Sequence, residues 1–266
     1  MPVDDPLDLV RLRADLLEPG ALWRTLDVVA EAGSTNADLA SRARAGEAAG
    51  AVLITDYQSA GRGRLGRSWT APPGSSIAMS VLVHPHDVEP ARWTWLPLLA
   101  GVAVVEALRR VGEAHAVLKW PNDVLVEGRK ICGILAERVD TPAGAACVIG
   151  LGLNVHLTEE ELPVPTATSL AVLNPSRVMG RNPLIITILR AFAAIYSQWE
   201  RNDDDDLFAV SYVKRCDTIG RRVRVSLAGD RVVEGVADAI DRGGRLVVRT
   251  ELGLETFGAG DVVHLR

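Results

Sequence analysis

After Cys216 the hydrophobic period of the chain changes, and that change restricts its folds more than any other feature. "RRVRVSL", "RVVEGVADAI", "RLVVRT" and "GLETFGAGDVVHLR" alternate polar with apolar residues and are separated by "AGD", "DRGG" and "ELG". Short strands at even spacing predict a small five-stranded barrel of about fifty residues. A boundary near 217 follows, dividing the chain into 1–217 and 218–266. A large unit plus a small one is an ordinary partition for 266 residues.

Upstream the pattern is mixed. Residues 7–18 predict a short amphipathic helix and 24–32 a strand. Gly33 breaks that run, and Ser34, Thr35 and Asn36 offer an N-cap for a helix through about Ala45. Strands are expected at 51–58 and 77–84, and a helix apolar on most faces, hence central, from Pro90 to Val111. Its apolar core, Leu96 to Val105, contains Pro97 and is too short to cross a bilayer. "AVLKW" (116–120) precedes two apolar runs within 123–139, a hairpin with Gly128 and Lys130 in its turn. An apolar strand at 146–156 is interrupted by Gly150 and Gly152. Residues 157–182 look irregular, 183–200 helical, and a further helix reaches Cys216 after the acidic run Asp203–Asp206.

Composition excludes several classes. With 48% hydrophobic and 24% charged residues the chain folds rather than staying disordered. A net charge of −5 argues against a surface given over to nucleic acid, though not against a local basic patch. "MPVDDPLDLV" lacks the basic stretch and apolar core of a signal peptide. Three cysteines without C-x-x-C spacing speak against a disulfide framework or structural zinc and for a reducing, cytoplasmic setting. His84 and His86 share a strand face but have no third metal ligand nearby.

Residues 61–69, "GRGRLGRSW", satisfy G-x-G-x-x-G, yet a dinucleotide-binding turn needs a helix opening at the third glycine. Pro72 and Pro73 forbid that helix, and no acidic residue stands at a suitable strand end about twenty residues on. Protein-kinase and P-loop signatures are absent as well. By itself the stretch fits a solvated basic loop as well as a ligand loop. In the second reading glycines admit a ligand to the backbone, arginines grip phosphate or carboxylate, and Trp69 stacks on a base. Such a loop would order only over a bound anion.

Three further segments favour the ligand. "KWPNDV" (119–124) sets a cation, an aromatic, an amide and a carboxylate at a strand end. "GRKICGILAE" (128–137) places Lys130 just before a rigid apolar strand. "GLGLNV" (150–155) supplies glycines where a strand would crowd a neighbour.

Together with "STN" (34–36) and Gln58, these segments resemble the successive motifs of biotin protein ligases, and the tail resembles that family's SH3-like C-terminal domain. The resemblance implies an α+β fold of the class II aminoacyl-tRNA synthetase and biotin ligase kind. It has a mixed, largely antiparallel sheet with helices packed on one face, then an SH3-like barrel. It also implies a reaction: biotin and ATP give biotinyl-5′-AMP, and biotin passes to a lysine of the biotin carboxyl carrier domain of a biotin-dependent carboxylase. Only 33 residues precede "STN", so no N-terminal DNA-binding domain is expected.

By position, Lys130 would touch both the biotin carboxylate and the α-phosphate, with Arg62 and Arg64 near them and Arg67 toward the diphosphate. Thr35 and Gln58 would bond the ureido ring, Ser34 and Asn36 line the same slot, and Gly133 and Gly152 let the backbone approach biotin. Trp69 would pack on adenine, and Asn122 and Asp123 would lie near phosphate and Mg²⁺. Asp123 would also accept the incoming lysine's proton, and Asn154 and Arg266 would serve the adenine and phosphate side. The expected partners are the carrier domain, biotin and ATP, with neither DNA nor membrane, in a monomer or weak homodimer. A lipoate–protein ligase is the nearest alternative and a nucleic-acid-binding regulator a more distant one.

Overall fold

Ser34 holds an extended conformation between strand β1 (Thr25–Ala32) and helix α2 (Thr35–Arg44), and its hydroxyl accepts from the Ala37 amide. The expected N-cap is therefore in place. The computed structural model describes residues 5–110, 115–176, 178–202 and 205–265. Val111, Asp203, Asp204 and Arg266, each part of an expectation above, lie outside them.

Six further strands join β1: β2 (Ala51–Gln58), β3 (Ser76–Val83), β4 (Ala116–Lys119), β5 (Asp123–Val126), β6 (Arg129–Thr141) and β7 (Gly144–Asn154). They form one sheet ordered β1-β2-β3-β7-β6-β5-β4, in which only β1 and β2 run parallel. The β1–α2–β2 crossover explains that exception, since parallel neighbours need a long connection.

The helices divide between the two faces of the sheet. Helices α1 (Leu9–Leu16), α3 (Trp95–Arg110) and α5 (Arg181–Glu200) share a core with Ile54, Met79, Val81, Ile149 and Leu151. On the other face Leu39, Ala40 and Ala43 of α2 pack against Leu82, Val139, Ala146 and Val148. The expectation of helices on one face is corrected in that respect. Covering both faces is why β3 is buried at every position instead of alternating. Helix α3 is apolar all round because it is wedged between the sheet and α5. Within the stretch expected to be irregular, Ser169 caps a short helix, α4 (Leu170–Leu173).

Helix α6 (Asp206–Val213) leads to a second, antiparallel sheet: β8 (Arg222–Ser226), β9 (Val232–Ile240), β10 (Leu246–Thr250), β11 (Gly253–Phe257) and β12 (Asp261–His264). Its order, β11-β10-β9-β8-β12, is a meander whose last strand returns beside the first. Val223, Val225, Ala237, Leu246 and Val248 fill its interior. The turn after β9 is clasped by two indoles of the large unit. Trp95 Nε1 donates to the Arg242 carbonyl at 2.8 Å and Trp120 Nε1 to the Gly244 carbonyl at 3.1 Å. Gly244 has φ +73°, and a Cβ there would stand 3.2 Å from the Trp95 ring, so the contact requires glycine.

Candidate functional site

At the N-terminus of α2 a cleft opens over β6 and β7. Ser34, Thr35, Asn36, Gln58, Arg62, Arg64, Arg67, Trp69, Asn122, Asp123, Lys130, Gly133 and Gly152 all line it. Lys130 and the three arginines face only two lining carboxylates, Asp123 and Asp261. The cleft is thus cationic in a chain of net charge −5, the polarity an anionic ligand needs.

The Gly/Arg stretch is folded as a small hairpin, where an open loop was expected. The Gly63 amide donates to the Arg67 carbonyl at 2.6 Å and the Trp69 amide to the Gly61 carbonyl at 2.8 Å. Its tip takes left-handed backbone at Leu65 (φ 55°) and Gly66 (φ 73°). Each arginine already has a partner. Arg62 lies 3.4 Å from Glu137, Arg64 donates to Asn122 Oδ1 at 3.2 Å, and Arg67 pairs with Asp261 at 2.8 Å. Burial lowers the pKa of the Arg64 guanidinium, while Asp123 and Asp261 oppose that shift. A desolvated cation of this kind gains from a bound anion.

Lys130 stands on strand β6, beyond the turn where it was expected. The hairpin turns on Glu127 and Gly128, both left-handed (φ 51° and 75°). Lys130 then pairs with Leu125, while Cys132 pairs with Val124, which leaves Ile131 as a bulge. Bulges re-aim side chains. The backbone is fixed on its other side too: the Lys130 amide donates to the Thr166 carbonyl at 2.7 Å, and its carbonyl accepts from the Thr168 amide at 2.8 Å. The ammonium is held 2.6 Å from Asp123 Oδ1.

The other end of the cleft is lined by the uncharged polar side chains of Ser34, Thr35, Asn36 and Gln58. Gln58 Oε1 accepts from the Thr35 amide at 2.9 Å and the Thr35 hydroxyl at 3.2 Å. The Ser80 hydroxyl lies 2.7 Å from Thr35 Oγ1 and 2.6 Å from Asn36 Oδ1, and Asn36 Nδ2 donates to Glu137 at 2.7 Å. These side chains brace one another at the capped start of α2, and the Glu137 carboxylate that Asn36 bonds is also paired with Arg62.

Trp69 lies between the two ends. A Cβ on Gly152 would stand 2.4 Å from its ring, and one on Gly133 would stand 2.9 Å away. Expected to admit biotin, these glycines admit the indole here, because two strands without side chains form a slot as flat as the ring. Trp69 Nε1 is buried without a hydrogen-bond partner, so the slot carries a donor awaiting an acceptor.

Two families account for these regions. The biotin/lipoate A/B protein ligase family matches residues 33–154, and the biotin protein ligase C-terminal domain matches residues 218–265. A biotin–[acetyl-CoA-carboxylase] ligase of Mycobacterium tuberculosis is 46% identical over 98% of this chain and 97% of its own length. The chain belongs to the biotin protein ligase family. Among solved structures it resembles a biotin protein ligase from Aquifex aeolicus in complex with biotin and ATP. That likeness has a TM-score of 0.77, 26% identity, and coverage of 92% of this chain and 100% of that one. It also resembles the Leishmania major biotin protein ligase in complex with biotinyl-5-AMP, with a TM-score of 0.62, 25% identity, and coverage of 89% and 99%.

Within this biotin protein ligase framework, one expected residue stays outside the cleft. Asn154 is buried and donates to the Thr168 carbonyl at 2.9 Å, securing the segment that crosses beside Lys130. Arg266 lies outside the described residues. Sequence reasoning missed Ser80, Glu137 and Asp261. Period two signals Glu137, which shares a strand face with Gly133 and Leu135. Nothing local signals Asp261, which arrives from the second sheet. The cysteines take no part: Cys132, Cys147 and Cys216 are buried free thiols, and burial pushes Cys147 up to about 12. Among the described residues no group of three His, Cys, Asp or Glu side chains could hold a metal, and the His84 and His86 rings lie 3.7 Å apart, tilted by 43°.

Proposed function

We propose that this chain joins biotin to a carrier-protein lysine in two steps. A biotin carboxylate oxygen attacks the α-phosphorus of ATP, the bond to the β-phosphate oxygen breaks, and diphosphate leaves. The carrier amine then attacks the acyl carbon of biotinyl-5′-AMP, the acyl–oxygen bond breaks with loss of a proton from the amine, and AMP departs. One observation carries the reading: a fixed ammonium and three arginines of the 61–69 hairpin, the flap, converge on a single cleft whose other end is lined by Ser34, Thr35, Asn36 and Gln58.

The first step brings two anions together, so its barrier is largely electrostatic. We assign Lys130 to bridge the carboxylate and the α-phosphate, with Arg62 and Arg64 beside them and Arg67 toward the diphosphate. Asp123 orients Lys130 and takes the proton of the incoming amine. Asn122, which donates to the Ile134 carbonyl at 2.9 Å, holds Arg64 over the site. Thr35 and Gln58 suit a ureido ring, which offers both donors and an acceptor and carries no charge. Trp69 packs against the ligand, and Gly133 and Gly152 give its ring room. Mg²⁺ would arrive with ATP, Asp123 would be the protein carboxylate nearest to it, and the chemistry it would supply is neutralisation of phosphate charge.

The carrier domain of a biotin-dependent carboxylase is the acceptor in this reading. DNA and membrane have no part in it, the protein acts as a monomer or weak homodimer, and its setting is cytoplasmic. The division at 217 and 218 is part of the proposal, supported by the two separate sheets. Lipoate ligation is disfavoured by the match of residues 218–265 to a biotin ligase C-terminal domain. The test is mass spectrometry of a carrier domain incubated with this protein, Mg-ATP and either biotin or lipoate. The mass of one biotin on one lysine is expected. Lipoyl transfer alone, or no transfer, overturns the reading.

A further inference from the structure

Among the described residues, Asp261 is the one side chain of the second sheet that lines the cleft. A carboxylate is out of place where a polyphosphate is to bind, because it repels the ligand. Its position is nonetheless built with care. Asp261 opens β12 opposite Ser226, and a Cβ on the preceding Gly260 would lie 2.8 Å from Val225. The sheet that carries it is clasped to the large unit through Trp95 and Trp120. A rigidly mounted carboxylate thus faces a hairpin, and it meets Arg67 Nη2 at 2.8 Å with both side chains about half exposed.

We infer that Asp261 is the latch of the flap at the adenylate stage. In ATP the diphosphate end takes Arg67. Once diphosphate has departed, Arg67 returns to Asp261, and the flap stays over the acyl phosphate until the carrier lysine arrives. A half-exposed ion pair is weak enough to yield to a polyphosphate and to re-form afterwards. The flap's other end, Arg62 with Glu137, lies at the biotin side, so the two pairs pin the hairpin at both ends. The need is chemical: water attacking the acyl carbon breaks the acyl–oxygen bond and yields biotin and AMP, wasting the ATP. Asp261 touches no reacting atom in this scheme and is a positioning residue. The inference rests on the ligase reading above.

The test compares AMP released with biotin transferred, using the full chain, biotin, Mg-ATP and a limiting carrier domain. For the unaltered protein the two amounts are expected to be close. In Asp261→Asn the AMP-to-transfer ratio rises about threefold with Tm unchanged, as loss of one exposed pair implies. Asp261→Glu keeps the carboxylate and the original ratio. An unaltered ratio in Asp261→Asn overturns the latch, as does a change confined to the KM for ATP. Equal leakage from Asp261→Glu would assign the effect to packing and overturn it as well. Failure of the unaltered protein to release diphosphate from biotin and ATP is a separate result, which overturns the ligase reading beneath the latch.

Discussion

Lys130 and Asp123 meet at 2.6 Å because they stand on adjacent antiparallel strands, joined by a two-residue turn and adjusted by the bulge at Ile131. Neither the turn nor the bulge is catalytic, yet together they decide where the ammonium points. Lys130→Ala should lower adenylate formation by about 10²–10³-fold, the usual loss when one stabilising charge is removed. Asp123→Asn should cost about tenfold, since its amide oxygen still accepts from the ammonium but without charge. Diphosphate release measured without carrier domain separates the two; equal losses would contradict the division of roles.

Gly152 and Trp69 occupy a single volume. Gly152→Ala places a methyl 2.4 Å from the indole, so the ring or the strand must shift. Overpacking of this kind costs about 1–3 kcal/mol. A lower Tm and a raised KM for biotin are expected. Because the clash needs both groups, Trp69→Ala in the same chain should recover most of the lost stability. Additive losses in the double mutant would show that Gly152 meets something else.

Trp120 binds the two sheets together. In Trp120→Phe the buried Gly244 carbonyl loses its donor, at about 1–3 kcal/mol. A fall of several degrees in Tm is expected by calorimetry. An unchanged Tm would show that the indole nitrogen contributes nothing to the joint.

Acid should loosen the same joint. The Thr218 hydroxyl accepts from the Trp120 amide at 3.1 Å and lies 3.1 Å from His264 Nε2, so a neutral imidazole completes the chain by accepting. Burial, and then Lys119 and Arg221, hold His264 below its ordinary value of 6.5. As pH falls through 6.5 the unfolded chain takes up this proton before the folded one does, so stability present at neutral pH is lost on acidification. Melting curves between about pH 5.5 and 7.5 should show a shallower slope for His264→Gln than for the unaltered protein. Parallel slopes would contradict the assignment.

What the sequence alone determined is local. The strand at 51–58, the Ser34 cap, the change of period after Cys216 and the Gly/Arg and Lys-Trp-Pro-Asn-Asp segments depend on residues within a turn or two of each other. They were legible for that reason, and so were most of the side chains that line the cleft. The tertiary structure decided what depends on distant partners. Helix α2 crosses to the second face because the β1–α2–β2 connection carries it there, and nothing in its own residues names a side. Gly133 and Gly152 look like room for a ligand until a ring some sixty residues or more upstream is seen against them. Asn154 is turned to a structural task by Thr168, and Asp261 reaches the flap only because two indoles fix the second sheet against the first. Period and propensity report a residue's own surroundings along the chain. Contacts across the fold are set by how the elements pack, and no local pattern records them.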